Sequence, residues 1–431
     1  MKIRFVTLGC KLNFAESSAI GKALLQRGHT RAKQGEEADI CVINTCSVTD
    51  NADHKDRQTI HRIHRQNPNA IIIVTGCYAQ LKKAEIESIE GVTAVFGATE
   101  KSLIVPTILA QTKGREFCDR DMSTFFPAYS SGERTRSFLK VQDGCDYKCH
   151  YCTVPYARGE SRNIPIAEII PQAEAIAAEG IKEIVITGVN TGDFGRSSGE
   201  TFFELIQKLN SVEGIERYRI SSIEPNLLTH EMIDWITSGS KFLPHYHIPL
   251  QSGCDTILKA MGRRYDTDAF AEKIQYIRSR SEFPGGPKVF FGIDVIVGFP
   301  GESEEDFADT MDILDQVEYD NVYAFLFSPR EGTRASKMDG EVAREIKDKR
   351  MAKLLACQDK ISLKLNTKYE STVQRVLVDN VEKRKNTSIF SGRTLTNKLV
   401  YFTAEKCEIG EFINVKITKA CPYHLLGEAE M

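Results

Sequence analysis

The chain has 431 residues, of which 41% are hydrophobic, and this length is enough for two or three domains with their own cores. Its net charge of −3 neither indicates nor excludes a nucleic-acid partner, because phosphates are bound by local basic patches. The longest aliphatic run, residues 71–74, is far shorter than the roughly 18 residues of a membrane span, and the N-terminus lacks the apolar stretch of a signal peptide. We therefore expect a cytoplasmic protein without a membrane partner.

The first segment, residues 1–126, alternates β-like runs with helix-length polar stretches. The runs are KIRFVTL, DICVIN and AIIIVTG. Strands separated by helices predict βαβ units, and therefore an α/β domain with a parallel sheet. Residues 127–136 end a Ser-, Asp- and Arg-rich stretch without periodicity, and we expect them to form a linker.

The second segment, residues 137–366, contains six β-like runs separated by helical stretches. They are FLKVQDG, EIVITGVN, RYRISSIE, HYHIPLQ, FGIDVIVGFP and VYAFLFSP. Six such repeats predict an open (β/α)6 partial barrel, with a long helix over residues 342–364 closing the segment. The third segment, residues 367–431, has only short strand candidates, which predict a small, OB-like β-barrel.

Twelve cysteines make metal ligation more plausible than disulfides in a reducing compartment. Six of them have no spacing typical of ligands, and we expect these to be small buried apolar side chains. They are Cys41, Cys118, Cys254, Cys357, Cys407 and Cys421.

The motif GCDYKCHYC places Cys145, Cys149 and Cys152 directly after the first strand of the predicted barrel. Three thiolates on one loop can bind three irons of a 4Fe–4S cluster and leave the fourth iron open. The alternative is a structural zinc site with His150 or His247 as the fourth ligand. The position of the loop at the first of six β/α units favours the cluster.

Three further cysteines, Cys10, Cys46 and Cys77, are far apart in sequence but each follows a predicted parallel strand. The carboxyl ends of such strands lie along one edge of the sheet, so the three thiols can converge there. They would form a second three-ligand cluster site. Three independent buried cysteines remain the alternative at this point.

The second segment resembles the radical SAM superfamily in its cysteine loop and in the strand-end motifs VITGVN, RISSIEP and IVGFPGE. The resemblance implies that the open iron binds the amino and carboxylate groups of S-adenosylmethionine. It also implies a set of residues that contact this cofactor: Tyr151, Gly188, Asn190, Ser222, Glu224, Gln251, Val297 and Gly298.

The whole chain resembles the methylthiotransferase family. The N-terminal motifs are TLGCKLNFAES, INTC and TGC, and the central ones are GCDYKCHYCTVPYARGE, HIPLQSG, MGRRY and FSPREGT. The third segment resembles the RNA-binding TRAM domain. This implies two 4Fe–4S clusters, both with catalytic roles. The cluster of Cys145, Cys149 and Cys152 would reduce S-adenosylmethionine to a 5′-deoxyadenosyl radical. The cluster of Cys10, Cys46 and Cys77 would handle sulfur, and a second S-adenosylmethionine would donate the methyl group.

Leu8, Lys11 and the stretch VPYARGE resemble the branch that methylthiolates N6-threonylcarbamoyladenosine at position 37 of tRNA, on carbon 2 of the adenine. The following SRN departs from the usual SRS. The alternatives are isopentenyladenosine in tRNA, an aspartate of a ribosomal protein, or a non-catalytic iron–sulfur or zinc RNA-binding module. The implied partners are the tRNA anticodon loop and an electron donor such as flavodoxin or ferredoxin.

Two basic stretches are candidates for phosphate contacts, although a solvated charged face explains each of them equally well. The first comprises His54, Lys55, Arg57, His61, Arg62, His64 and Arg65, and the second comprises Lys383, Arg384, Lys385 and Arg393.

Overall fold

The computed structural model describes residues 1–33, 35–47, 49–113, 125–132, 135–280, 289–384 and 387–430. The strands are β1 Lys2–Thr7, β2 Thr30–Arg31, β3 Ile40–Thr45, β4 Ile71–Gly76, β5 Val92–Phe96, β6 Arg136–Lys140, β7 Glu183–Thr187, β8 Arg217–Ile220, β9 His245–His247, β10 Phe290–Val297, β11 Asn321–Leu326, β12 Val373–Arg384, β13 Thr387–Arg393, β14 Leu399–Thr403, β15 Phe412–Ala420 and β16 Leu425–Ala429. The helices are α1 Lys11–Leu25, α2 Asp50–Gln66, α3 Cys77–Leu81, α4 Lys83–Glu87, α5 Ile104–Lys113, α6 Val154–Arg158, α7 Ile166–Ala178, α8 Phe202–Asn210, α9 His230–Thr237, α10 Asp255–Ala260, α11 Thr267–Arg280, α12 Glu304–Val317 and α13 Arg344–Thr367. None of the helices in these ranges is both long enough and apolar enough to cross a bilayer.

The N-terminal sheet is parallel, with the order β2-β1-β3-β4-β5. The predicted strands β1, β3 and β4 are confirmed. The central strands β3 and β4 are buried on both faces, which explains their unbroken aliphatic sequences. The sequence did not indicate β2, which has two residues, or the partly exposed β5.

The central segment confirms all six predicted strands, arranged as the parallel sheets β6-β7-β8 and β9-β10-β11. The backbone N–H of Ile223 donates to His247 O at 3.0 Å and continues the curve from one sheet to the other. Helices cover the convex side. On the concave side, Phe14 of α1 packs edge-on against Phe138, with ring centroids 5.7 Å apart. The N-terminal segment therefore covers part of the open barrel.

The described part of the predicted linker lies against the edge of β6. Ser130 N–H donates to Phe138 O at 3.0 Å, and Lys140 N–H donates to Ala128 O at 2.9 Å. The strand already begins at Arg136, which the linker prediction included. Backbone hydrogen bonds, which need no particular side chains, hold this stretch against β6.

The C-terminal segment is a closed barrel of order β12-β13-β14-β16-β15, so the predicted small barrel is confirmed. Its last strand, LLGEA, was not predicted. The barrel docks on β8: the Arg219 guanidinium donates to Thr394 O at 2.7 Å and to Leu395 O at 2.8 Å, and that of Arg217 donates to Arg375 O at 3.1 Å. Two buried arginines thus attach the barrel to the central domain.

Candidate active site

The cysteine loop of the central domain begins where β6 ends. Gly144 has a φ of +72°, and a Cβ there would overlap the backbone of Glu160, so only glycine fits this turn. Cys145 N–H donates to Gly159 O at 3.0 Å, and Cys152 N–H donates to Cys149 O at 3.1 Å. The backbone therefore folds the three candidate ligands into one compact, partly exposed loop.

Arg263, which is not among the site residues predicted from the sequence, lies beside this loop. Its guanidinium is 3.2 Å from Cys149 Sγ and 3.3 Å from the Tyr151 hydroxyl, and it forms an ion pair with Glu224. Arg263 belongs to the MGRRY motif, and this motif is the sequence feature that could have identified it as a site residue. A fixed cation beside a thiol stabilises the negative charge that the thiolates of an iron–sulfur cluster introduce.

The chemistry of the cysteine loop fits a 4Fe–4S cluster. Burial raises the pKa of Cys145 to about 11 and that of Cys152 to about 12. These thiols therefore keep their protons at neutral pH until a metal displaces them, as cluster ligands do. Three thiols without disulfide partners and a neighbouring cation are suited to a cluster with one open iron.

Zinc fits this loop less well. A tetrahedral site needs four ligand atoms that converge closely. His150 Nδ1 contacts Ala260 O at 2.6 Å, and His247 Nε2 contacts Asp294 at 2.9 Å, so both candidate histidines have other partners. In the described part of the chain, the group of ligand atoms that does converge consists of Cys254, Asp306 and Asp309 and includes none of the six candidate cysteines.

Asn190, the candidate contact for the methionine part of the cofactor, is 5% exposed, and neither atom of its amide has a hydrogen-bond partner among the described residues. Such a buried group points to a ligand. Gln142 orders the loop around it, because its Oε1 accepts from Val189 N–H at 2.9 Å and Asn190 N–H at 2.8 Å. Its Nε2 donates to Gly144 O at 2.7 Å and so links this loop to the cysteine loop. Gly188 lies against Gln142, where a larger residue would crowd it.

Most of the other candidate cofactor residues also lie at carboxyl ends of barrel strands. Ser222 and Glu224 follow β8, and Tyr151 and Gln251 line a common cavity of about 280 Å³. Gln251 has a φ of +67°, a strained conformation for a residue with a side chain, and such strain clusters at functional positions. The arrangement provides a largely apolar cavity with a few polar side chains beside the cysteine loop.

Two of the candidate cofactor residues, Val297 and Gly298, offer no side chain to this cavity. The Val297 side chain packs into the hydrophobic core on the convex side of the barrel. Gly298 has a φ of +75° and lies against the Lys347 side chain, while its N–H donates to Glu302 at 2.8 Å. Only the backbone of these residues could face a ligand in the cavity.

The N-terminal candidates Cys10, Cys46 and Cys77 follow β1, β3 and β4, which are adjacent strands of one sheet. A Cβ on Gly9 would stand only 2.9 Å from Cys46 Sγ, so the turn before Cys10 lies directly against Cys46. Asn13 joins the same two turns by donating to Leu8 O at 3.0 Å and Thr45 O at 2.9 Å. The sheet thus brings the three cysteines to one edge, as expected from the strand ends.

The two cysteine groups lie on neighbouring loops. Thr153 Oγ1, next to Cys152, donates to the carbonyl of Ser47, next to Cys46, at 3.4 Å. Arg158, from the helix after the cysteine loop, lies near the Cys77 thiol of the other domain. Burial raises the pKa of that thiol, and the Arg158 charge counters the rise. The geometry places both groups at one interdomain boundary.

A buried ion network fixes this boundary. Glu16 of α1 is fully buried and contacts Lys140 Nζ at 2.8 Å, Arg158 Nη1 at 3.1 Å and Lys101. Asp143 contacts Lys140 at 2.7 Å and Arg158 at 2.9 Å. Burial alone would raise the pKa of Glu16, but the three cations outweigh it and hold the pKa well below its usual range. The network therefore locks the N-terminal domain against the loop after the cysteines.

The six remaining cysteines follow the sequence prediction in part. Cys41 and Cys254 are buried, and Cys254 Sγ lies 2.9 Å from Asp306. The prediction of burial is wrong for three others, which lie at partly exposed positions on α13, in a loop and after β15: Cys357, Cys407 and Cys421. Cys118 lies outside the described residues.

The first basic stretch lies on α2 and exposes most of its charge. The exposed members are His54, Lys55, His61, Arg62 and Arg65. Arg57 instead donates to Tyr78 at 2.8 Å and Glu85 at 3.0 Å, and His64 packs against Gly91.

The second basic stretch does not form one patch. Lys383 is exposed, but Arg393 is half-buried against the central domain, because β13 lies on the docking face. Lys385 and the side chain of Arg384 lie outside the described residues. The described residues of this stretch therefore present little positive charge that an RNA could contact.

Comparisons with known proteins agree with this architecture. Residues 2–97 match the family described as "Uncharacterized protein family UPF0004", residues 139–314 match the radical SAM superfamily, and residues 367–429 match the TRAM domain. A solved radical S-adenosylmethionine methyltransferase, TsrM from Kitasatospora setae, superimposes with a TM-score of 0.54 at 13% identity over 75% of this chain and 74% of its own. This similarity shows the fold. The central domain is therefore that of a radical SAM protein.

Two curated relatives define the family. The threonylcarbamoyladenosine tRNA methylthiotransferase MtaB of Bacillus subtilis is 36% identical over 98% of this chain and 95% of its own length. The tRNA-2-methylthio-N(6)-dimethylallyladenosine synthase of Clostridium botulinum (strain Langeland) is 35% identical over 98% and 95%. The chain belongs to the methylthiotransferase family of radical SAM enzymes. Membership implies S-adenosylmethionine and 4Fe–4S clusters as cofactors.

Proposed function

We propose that the enzyme methylthiolates carbon 2 of N6-threonylcarbamoyladenosine at position 37 of tRNA. The observation that carries the proposal is the Thr153–Ser47 hydrogen bond, which holds the two cysteine groups on adjoining loops, where one substrate carbon can meet both. Cys145, Cys149 and Cys152 hold one cluster, and Cys10, Cys46 and Cys77 hold the other. The three domains divide near residues 126 and 366.

The bound groups supply radical generation from S-adenosylmethionine and sulfur donation to carbon. The protein binds and orients them. Asn190 offers an unpaired amide to the cofactor, Glu224 is held by Arg263, and Tyr151 and Gln251 line the adjoining cavity. The buried ion network of Glu16, Lys140 and Arg158 holds the two domains together beside the cysteine groups and so fixes the position of one group relative to the other.

The choice of branch rests on Leu8 and Lys11 beside Cys10 and on the similarity to the B. subtilis relative. The exposed basic side of α2, together with the C-terminal barrel, is the proposed contact for the tRNA anticodon loop. A small electron-transfer protein such as flavodoxin or ferredoxin supplies the electron. We place the enzyme in the cytoplasm, where tRNA is available and thiols stay reduced.

Mass spectrometry of tRNA nucleosides tests this proposal. A deletion strain should lose 2-methylthio-N6-threonylcarbamoyladenosine and accumulate its unmethylthiolated precursor, and the intact gene should restore the product. Loss of the methylthiolated isopentenyladenosine instead would contradict the branch. A purified protein that contains zinc, rather than about eight irons per chain, would contradict the enzyme assignment.

A further inference from the structure

A cavity of about 350 Å³ opens beside Cys10 and extends into the concave side of the barrel. Its cationic lining comes from all three domains: Lys11 follows Cys10, Arg136 and Arg219 lie on β6 and β8, and Arg393 lies on the C-terminal barrel. No acidic side chain is among the described residues that line it. The volume is that of a small ligand pocket.

The positive charge of this cavity is only partly compensated. Two carboxylates outside the lining compensate part of it: Glu183 contacts Arg219 at 2.8 Å and Arg136 at 3.7 Å, and Asp379 contacts Arg136 at 3.8 Å. The Lys11 side chain lines the cavity and has no hydrogen-bond or ion-pair partner in the part of the chain that the structure describes. Arg136 and Arg219 repel its charge, and Asp294 offsets only part of this repulsion without contacting it. An anion in the cavity would relieve this repulsion.

The wall of the cavity also carries unpaired polar atoms. His245 is 7% exposed, and its Nδ1 has no hydrogen-bond partner among the described residues. Oδ1 of Asn397 also has no hydrogen-bond partner among the described residues. The amide nitrogen of Asn397 is 3.1 Å from His245 Nε2. Buried polar atoms without partners are uncommon in proteins, and here they indicate that a polar ligand enters.

We propose that this cavity binds the carboxylate of the substrate's N6 substituent and that Lys11 selects for it; the inference rests on the proposed function. A threonylcarbamoyl group carries a carboxylate, whereas a dimethylallyl group is an uncharged hydrocarbon that would leave Lys11 unpaired. A site built for a charged group rejects an analogue that lacks it. Because Cys10 lines the same cavity, a substrate held by Lys11 lies beside the proposed sulfur-handling site.

Binding measurements with the full-length holoenzyme test this inference. The probes are three anticodon stem-loop RNAs that carry threonylcarbamoyladenosine, its methyl ester or isopentenyladenosine. For the wild type, the free carboxylate should bind about tenfold more tightly than the ester, the order expected for a charged hydrogen bond. Lys11→Gln should remove this difference, and Lys11→Arg should keep it. Lys208→Gln, an exposed lysine on α8, is the matched control.

Iron is measured in every variant, so that the loss of a cluster is not mistaken for weaker substrate binding. Equal binding of the carboxylate and the ester by the wild type, or an unchanged preference in Lys11→Gln, would overturn the inference while leaving the proposed function intact. A wild-type preference for the isopentenyl RNA would overturn both.

Discussion

At the scale of single residues, the six cysteines could be selected from their spacing and from the strand ends they follow, but the charges around them could not. Arg263 lies more than a hundred residues from Cys149 and yet contacts it at 3.2 Å. Arg158 and Glu16 come together only when two domains meet. Sequence patterns report local periodicity, so contacts between distant charges stay hidden unless a recognised motif includes them.

Glu16→Gln should lower the free energy of unfolding by about 3 kcal/mol, because it leaves three buried cations with too few counter-charges. Urea denaturation at neutral pH measures this. The pKa of Glu16 is depressed, so its stabilising contribution is present above the unfolded-state pKa and is lost as the pH falls through the folded-state pKa. The difference in the free energy of unfolding between the wild type and the variant should therefore become smaller at acidic pH.

Glu174→Gln, on the exposed side of α7, is the control, and it should change stability by no more than about 0.5 kcal/mol. An equally small effect of Glu16→Gln would show that the buried network does not stabilise the domain interface.

At the scale of elements, long aliphatic or alternating runs predicted the parallel sheets well. The hydrophobic signal is weak in the three strands that were not predicted. β2 has two residues, β5 is mostly partly exposed, and β16 has only two large apolar residues, Leu425 and Leu426. The turns between strands and cysteines depend on glycines. Gly76 has a φ of +110°, and a Cβ there would overlap Thr45 O, so the close approach of β4 to β3 before Cys77 requires glycine.

Gly76→Ala should displace Cys77 and reduce the iron bound by about four per chain, the content of one cluster. Iron and sulfide analysis after reconstitution measures this. Gly28→Ala is the matched control, because Gly28 also has a positive φ, +88°, but a Cβ there meets nothing within 4 Å. Full iron content in Gly76→Ala would show that Cys77 is not a ligand or that the turn is adaptable.

At the scale of the whole molecule, the sequence indicated three domains in order but not how they are joined. The C-terminal barrel is bound through Arg217 and Arg219, which are almost completely buried. Removing it would expose these two charges and open the cavity beside Cys10. Surface substitutions are therefore better probes of RNA binding than truncation.

Replacing Lys55, Arg62 and Arg65 on α2 with Gln should weaken tRNA binding and make its salt dependence shallower, by about one unit of slope for each phosphate that the variant no longer neutralises. A salt titration of tRNA affinity measures both effects. Lys208→Gln serves again as the control on a distant helix. An unchanged slope in the triple variant would show that the RNA does not bind at α2.

The two clusters have separate roles in separate domains, and a Cys46→Ala variant distinguishes these roles. The reconstituted variant should bind about four fewer irons per chain than the wild type. Given a chemical reductant, it should still form 5′-deoxyadenosine, because the cysteine loop of the barrel is intact, but it should form no methylthiolated nucleoside. Cys357→Ala, at a partly exposed position on α13, is the control. A Cys46→Ala enzyme that makes normal amounts of methylthiolated product would contradict the account.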